Sequence, residues 1–280
     1  MNGDPGYFGP NSMMWKVNKE ITVLFGGARA LLMHAAHPLI AAGARQTSFY
    51  KRDTWKRLIR TLSLQNSVTF GTKKEADESA HRINKLHEVI KGTDEITGDI
   101  YDALDHEQLL WVHACLQISS IYFYEKTVKK LTDDEKNQYH KENMLSADLV
   151  LVNIKEMPQT HEGLKNWVIE KSKTDKYLIH TDVAKDVQEI IAGGPVPTHI
   201  KPIWPFIAFT AFNTLPYEFK EIYGVKDSKF KSFILGFNLA FLKYTRPFLP
   251  PFFRLIAPAR WAKQRLNKNP NLLFKDKAKF

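Results

Sequence analysis

Four histidines lie on segments of otherwise apolar helical character. His34 and His37 are three residues apart, and one face of a continuous helix would carry both. No Asp or Glu occurs from residue 21 to residue 52, so neither imidazole has a carboxylate nearby in sequence. His87 is flanked by Ile and Leu at helical spacing, and His113 is flanked by Leu. One such histidine is usually a packing residue, but four close together favour a shared site.

Several metal chemistries are disfavoured by what surrounds these histidines. A zinc hydrolase needs a carboxylate that activates water, and none lies within a turn of His34 or His37. A di-iron bundle needs two Glu-x-x-His motifs, and the chain has one, Glu78-Ser-Ala-His81. The single cysteine, Cys115, excludes an intramolecular disulfide and a multi-cysteine metal site.

Of these cofactor sites, a haem site requires the fewest specific residues, because it needs one axial ligand and an apolar slot between helices. His87, with Ile83 and Ile90 a turn before and after it, meets that description. His87 is therefore a candidate iron ligand. His113 is the second candidate, as a ligand or as a packing residue beneath the ring. Cys115 is a weaker alternative, because no pattern of nearby cations would lower its pKa.

The elements that must position these residues are helices, because almost every periodic stretch repeats at 3.6 residues. We predict an all-α fold. Capping residues and breakers place the helices at Lys16–Ala36, at Leu39–Ser48, from Asp53 or Thr54 to about Leu64, from Thr72 or Lys73 to Gly92, at Glu107–Leu131 after the cap Asp105, from the capping box Thr132-Asp-Asp-Glu135 past Asn143, at His161–Lys173 and at Thr181–Ala192.

The C-terminal part differs in composition from the rest. The breaker Gly193-Gly194-Pro195 predicts a boundary, with a helical, haem-binding core at 1–194 and a Pro-rich, aromatic, basic segment at 195–280 that packs on it. From Ile200 onward there are 15 Lys or Arg against 4 acids, and 13 of the 18 Phe. This segment therefore has a net charge of +11, whereas the first 199 residues have a net charge of −1 and the whole chain +10.

Cations interleaved with aromatic rings suit a membrane surface or the mouth of an apolar cavity better than a phosphate backbone. We expect no nucleic acid partner. The first residues do not resemble a signal peptide, and the apolar runs of the C-terminal segment are too short to cross a bilayer. The expected location is the cytoplasm, with peripheral membrane contact through this basic aromatic tail.

Several short motifs, weak one by one, occur in an order that together resembles a known family. They run from about Met14 to Pro216, and further to Leu249-Pro-x-x-x-Arg254. They comprise Gly26-Gly-Ala-Arg29, Ala36-His37-Pro38, Arg57-x-x-Arg60-Thr61, Leu86-His87-x-Val-x-x-Gly92, Tyr101-x-Ala-x-Asp105 and Leu110-Trp-Val-His113. The chain resembles the catalytic domain shared by the fungal oxygenase MpaB and the latex-clearing rubber oxygenases. This resemblance implies a globin-like helical core, haem b, and reaction of dioxygen with apolar molecules such as terpenoid or polyisoprene chains.

The resemblance also implies roles for single residues. The proximal histidine of the rubber oxygenases corresponds to His87, and their distal Arg-x-x-Lys-Thr motif corresponds to Arg57, Arg60 and Thr61. Arg60 replaces the lysine of that motif. It keeps the positive charge, but a guanidinium cannot lose a proton to ligate iron as an amine can.

The catalytic glutamate of the rubber oxygenases has no counterpart here, because no acid occurs between Glu20 and Asp53. We expect His37 to act instead, as a base or as a hydrogen-bond donor to dioxygen. The expected site comprises His37, Arg60 and Thr61 as catalytic residues and His87, His113, Arg57 and His34 as haem-binding residues. The predicted function is a haem b-dependent oxygenase; the alternative is a non-catalytic binder of haem or an apolar ligand.

Overall fold

The computed structural model describes residues 3–47, 54–174, 176–194, 196–198 and 200–273, and for 54–60 it describes the backbone alone. The described chain is mostly helical and forms a single domain, which confirms the all-α prediction. The globin-like arrangement and the division at residue 194 stay predictions.

Fourteen α-helices follow one another in the described residues, with short 3-10 turns at Ile21–Leu24 and Arg246–Phe248. They are α1 (Met13–Asn18), α2 (Phe25–Ala35), α3 (Pro38–Thr47), α4 (Thr54–Phe70), α5 (Lys73–His87), α6 (His106–Thr127), α7 (Asp133–Leu149), α8 (His161–Lys171), α9 (Asp182–Gly193), α10 (Trp204–Asn213), α11 (Tyr217–Ile222), α12 (Lys229–Thr245), α13 (Pro251–Arg254) and α14 (Ala257–Asn267).

The predicted continuous helix Lys16–Ala36 is wrong, because the chain leaves the helical conformation at Glu20. The backbone of Glu20 is extended and forms an isolated antiparallel bridge with Leu255. Its buried carboxylate accepts two hydrogen bonds from Arg246, at 2.8 and 2.7 Å. These partners lie more than 220 residues away in sequence, so a long-range contact overrides the local helical pattern.

The predicted helix starts are confirmed where a local side chain caps the helix. Thr132 and Glu135 form both hydrogen bonds of a capping box at the start of α7, and Asp105 accepts a hydrogen bond from the Gln108 backbone at the start of α6. A second capping box joins Thr72 and Glu75. Such caps satisfy amide groups that the first turn leaves without a partner.

The helix predicted to run to Gly92 ends instead at His87. Two short strands follow, β1 (Lys91–Thr93) and β2 (Ile100–Asp102), paired antiparallel with Gly92 opposite Tyr101. A Cβ at residue 92 would lie 2.8 Å from the hydroxyl oxygen of Tyr101. Glycine is therefore required for this close approach, and the hairpin fixes the end of α5 where His87 lies.

Helix α6 runs through the centre of the domain and packs along α2. Its fully buried side chains include Trp111, Ala114 and Cys115. The C-terminal segment belongs to the same core: the Tyr223 hydroxyl donates to the Leu32 carbonyl at 2.6 Å, and the Arg29 guanidinium donates to the Thr214 carbonyl at 2.9 Å.

No single helix among the described residues has the length and hydropathy to cross a membrane. Two consecutive segments, Ile21–Ala35 and Pro38–Thr47, meet the length and hydropathy criteria only when they are taken together. The chain bends by 100° between them.

Candidate functional site

The dominant feature of the domain is a cavity of about 1830 Å³ bounded by α2, α3, α5, α6 and the C-terminal helices. Its wall is mostly apolar, with side chains such as Leu31, Ile40 and Leu116. Ordinary small-molecule pockets have volumes of about 300–1,000 Å³. The cavity is therefore larger than an ordinary pocket for one small molecule.

Three of the four predicted histidines line this cavity: His34 from α2, His87 from α5 and His113 from α6. Three separate helices thus bring imidazoles to one apolar space. Both His87 and His113 have a buried ring nitrogen with no hydrogen-bond partner among the described residues. A buried polar atom without a partner costs free energy, so each of these atoms needs an explanation.

His87 is the last residue of α5, and its neighbours Ile83, Leu86 and Ile90 also line the cavity. Its Nδ1 is the atom without a partner. Burial lowers the pKa of His87 below its ordinary value. The ring is thus neutral at pH 7, which leaves one nitrogen lone pair free to bind a metal.

His113 is held differently, by the backbone of the neighbouring helix α7. Burial lowers the pKa of His113 to about 4, while a hydrogen bond with the backbone of Asn143 acts in the opposite direction. Its Nε2 has no partner. A histidine fixed through one ring nitrogen and unpaired at the other has the arrangement that metal-binding histidines share.

His34 also faces the cavity, and its Nε2 donates a hydrogen bond to the Val112 carbonyl at 3.0 Å. This bond joins α2 to the middle of α6 and fixes the orientation of the ring.

His37 is not brought to the cavity. It is buried in an aromatic cluster, with its ring edge-on to Trp111 and Tyr177 at centroid distances of 5.4 and 5.2 Å. Burial lowers the pKa of His37 to about 4, and its Nδ1 has no hydrogen-bond partner among the described residues. The structure therefore places His37 as a packing residue behind the cavity wall.

Thr61 on α4 lines the cavity, and its predicted catalytic role stays a prediction. The side chains of Arg57 and Arg60 lie outside the described residues, so their predicted roles stay predictions.

A polar patch on the cavity wall was not predicted from the sequence. Gln117 and Asn143 both line the cavity, and the Asn143 amide donates to the Gln117 side-chain oxygen at 2.9 Å. The Gln117 amide nitrogen lies 2.8 Å from Nδ1 of His140, whose Nε2 donates to the Pro158 carbonyl. The available signal was Gln117 followed three residues later by Ser120 within an apolar helix.

The residues present fit a haem. A haem iron needs only one protein ligand, so the site does not require a cluster of ligands; the described residues contain no group of three or more His, Cys, Asp or Glu that could hold a metal ion. Either of the unpaired nitrogens, His87 Nδ1 or His113 Nε2, could supply that ligand. Cys115 is a poorer one, because burial raises the pKa of its thiol.

Comparison with known proteins agrees with these motifs. Neither curated proteins nor solved structures include one that is significantly similar to the chain. The family model described as "ER-bound oxygenase mpaB/B'/Rubber oxygenase, catalytic domain" matches residues 15–243, which is most of the chain. With its cavity, its histidines and this match over more than half of its length, the chain belongs to the MpaB and rubber oxygenase catalytic-domain family.

Proposed function

We propose that the protein is a haem b-dependent oxygenase of apolar substrates, with His87 as the axial iron ligand. One observation carries the proposal: a large apolar cavity whose wall holds imidazoles with unpaired ring nitrogens. A bound haem would supply the redox chemistry with dioxygen.

The chain's own part is to bind, to orient and to exclude water. His87 is neutral at pH 7 because burial lowers its pKa, so its lone pair is available to iron. His113 lies on the central helix as the second candidate ligand, and His34 is held by its hydrogen bond to the Val112 carbonyl. The apolar wall binds the hydrocarbon and keeps water from competing with it.

Thr61, Arg57 and Arg60 stay proposed as groups of the distal side, on the strength of their motif and of the place of Thr61 in the cavity. For His37 we propose a packing role instead of a catalytic one, because it lies in the aromatic cluster. The alternative function, a non-catalytic binder of haem or an apolar ligand, would use the same cavity. Product formation from a terpenoid or lipid in the presence of reductant and dioxygen separates the two.

The ligand assignment is tested by haem titration of the full chain, followed by the Soret band. Wild-type protein should bind haem, and His87→Ala should weaken binding by more than the about 10–100-fold loss typical of an outer-shell partner. Added imidazole should restore the spectrum of His87→Ala by occupying the vacated position. His180→Ala is the matched control, because His180 is exposed and hydrogen-bonded to Gln188.

Two outcomes would contradict this assignment. Loss of haem in His113→Ala with retention in His87→Ala would move the ligand to α6. Wild-type protein that shows no Soret band after titration would refute haem binding itself.

We also propose that the tail rests on a membrane through an aromatic face of α12. This face consists of Phe230, Phe233, Phe237, Phe241 and Tyr244, each more than half exposed. The residues recur every three or four positions and so form one stripe along the helix. Lys229, Lys231 and Lys243 lie on the same helix, which favours a bilayer that contains anionic lipids.

A further inference from the structure

The end of the cavity nearest the C-terminal helices carries an arginine that the proposed oxygenase chemistry does not use. Arg254, the last residue of α13, lines the cavity. Its Nε is buried and has no hydrogen-bond partner among the described residues. A guanidinium is always charged and presents a planar array of donors suited to a carboxylate or a phosphate. Arg254 is therefore a cation on an apolar wall with an unused donor.

The charges around Arg254 leave this end of the cavity positive. The carboxylate of Glu20 is occupied by Arg246, which donates to both of its oxygens. Lys19 lies near enough to sense both arginines: burial lowers the pKa of Lys19 most, Glu20 raises it, and the charges of Arg246 and Arg254 lower it further. Lys19, Arg246 and Arg254 thus lie near one another, and the carboxylate of Glu20 is already hydrogen-bonded to Arg246.

The same end of the cavity reaches the surface. Ile21, Leu24 and Leu249 line the cavity and are each 40% exposed, so an apolar rim surrounds this opening. Further inside, the cavity wall is formed by apolar side chains such as Leu242 and Ile207. A ligand that enters here meets cations at the rim and hydrocarbon inside.

We infer that the cavity binds an amphiphile with a long apolar chain and an anionic head, its carboxylate or phosphate held by Arg254 and its chain directed into the cavity. The inference names the substrate class for the proposed oxygenase and in that respect rests on the proposed function. Binding itself depends on the cavity and Arg254 alone, so it can be measured without haem.

The test measures displacement of a fluorescent fatty acid from the full chain, without haem and without vesicles. The competitors are palmitate, hexadecyl phosphate, hexadecanol, methyl palmitate and inorganic phosphate, with each amphiphile kept monomeric. Palmitate and hexadecyl phosphate should bind at least about tenfold more tightly than hexadecanol and methyl palmitate, which is the gain expected from one charge-assisted contact. Inorganic phosphate should not displace the probe, because it has no chain to bury.

Arg254→Ala should remove the preference for the anionic head and leave hexadecanol binding unchanged. Arg254→Lys should keep part of the preference for the anionic head. Arg260→Ala is the matched control: Arg260 stacks over the Phe252 ring at 4.2 Å and is not a cavity-lining residue. Thermal unfolding of each variant shows whether it is folded. Equal affinity for palmitate and hexadecanol in wild type would overturn the inference.

Three further outcomes would also overturn it. An equal loss of acid and alcohol binding in Arg254→Ala would make the residue structural. Displacement by inorganic phosphate at concentrations similar to those of hexadecyl phosphate would indicate a site for free anions. Binding to anionic vesicles with no binding of monomeric palmitate would indicate surface contact alone. Failure of haem binding with an intact palmitate preference would refute the proposed function and leave this inference standing.

Discussion

At the scale of single residues, His34 and His37 show how a spacing argument can fail. On one continuous helix the two rings would share a face. The chain bends by 100° between α2 and α3, however, and His37 lies at that bend just before Pro38. His34 consequently faces the cavity, whereas His37 packs against Trp111 and Tyr177. The sequence located the imidazoles correctly on apolar surfaces but could not say which surface each one meets.

The packing role of His37 predicts opposite results for two substitutions. His37→Ala should lower the free energy of unfolding by about 2–4 kcal/mol, because it leaves a cavity in the aromatic cluster. His37→Phe should be neutral or stabilising, because it fills the space and removes the unpaired buried Nδ1. Urea unfolding measures both. A loss of haem binding in His37→Phe with unchanged stability would instead return His37 to the haem site.

At the scale of elements, local signals predicted the starts of helices better than their continuity. Thr132 and Asp105 cap their helices through bonds within three residues, which a sequence shows directly. The break at Glu20 depends on Leu255 and Arg246, and no local pattern reveals such partners. Arg254 likewise belongs to a motif that the sequence shows, but its position at the cavity depends on long-range packing that the sequence does not show.

At the scale of elements, we predict that the aromatic face of α12 contributes to membrane binding. Phe233→Ser combined with Phe237→Ser should reduce binding to phosphatidylcholine–phosphatidylserine vesicles by at least about tenfold, since a buried phenyl group contributes about 1.5–3 kcal/mol. Binding should weaken as salt rises, because lysines near an anionic surface contribute about 1 kcal/mol each. Sedimentation with vesicles measures both effects.

Ile100→Ser is the control for this experiment, because Ile100 is an exposed apolar residue on the β hairpin, away from α12. Equal binding of the double variant and the wild type would contradict membrane contact through α12. A double variant that changes from dimer to monomer in solution would identify a second copy of the chain as the partner of this face.

At the scale of the whole molecule, the periodicity of the sequence was sufficient for the fold class, and the order of its short motifs was sufficient for the family. They were not sufficient for the site, because the cavity is a property of how α2, α3, α5, α6 and the tail pack together. Its polar patch illustrates the difficulty: Gln117 on α6 and Asn143 on α7 are 26 residues apart in sequence and meet only in the folded protein.

The buried histidines predict a dependence of stability on pH. Burial lowers the pKa of His37, His113 and His161 to about 4, whereas an unfolded histidine titrates near about 6.5. Between these values the unfolded chain binds more protons than the folded chain, so unfolding becomes easier as pH falls from about 6.5 to about 4. Above this range the contribution of the histidines to stability is complete.

Urea unfolding between pH 7.5 and pH 4.5 measures this dependence. Each of the three histidines should contribute a slope of up to about 1.4 kcal/mol per pH unit. His37→Phe removes one of the three groups and should show a smaller decrease than wild type. Identical pH profiles for the two proteins would contradict the lowered pKa of His37.

The size of the cavity has a mechanical consequence. A folded chain with a cavity of about 1830 Å³ has fewer atoms in contact across its middle than a solid helical bundle. Unfolding eliminates internal void, so hydrostatic pressure favours the unfolded chain in proportion to the part of that space that stays dry. A ligand large enough to fill the cavity should therefore make the domain markedly less compressible, and the protein more resistant to pressure when loaded than when ligand-free.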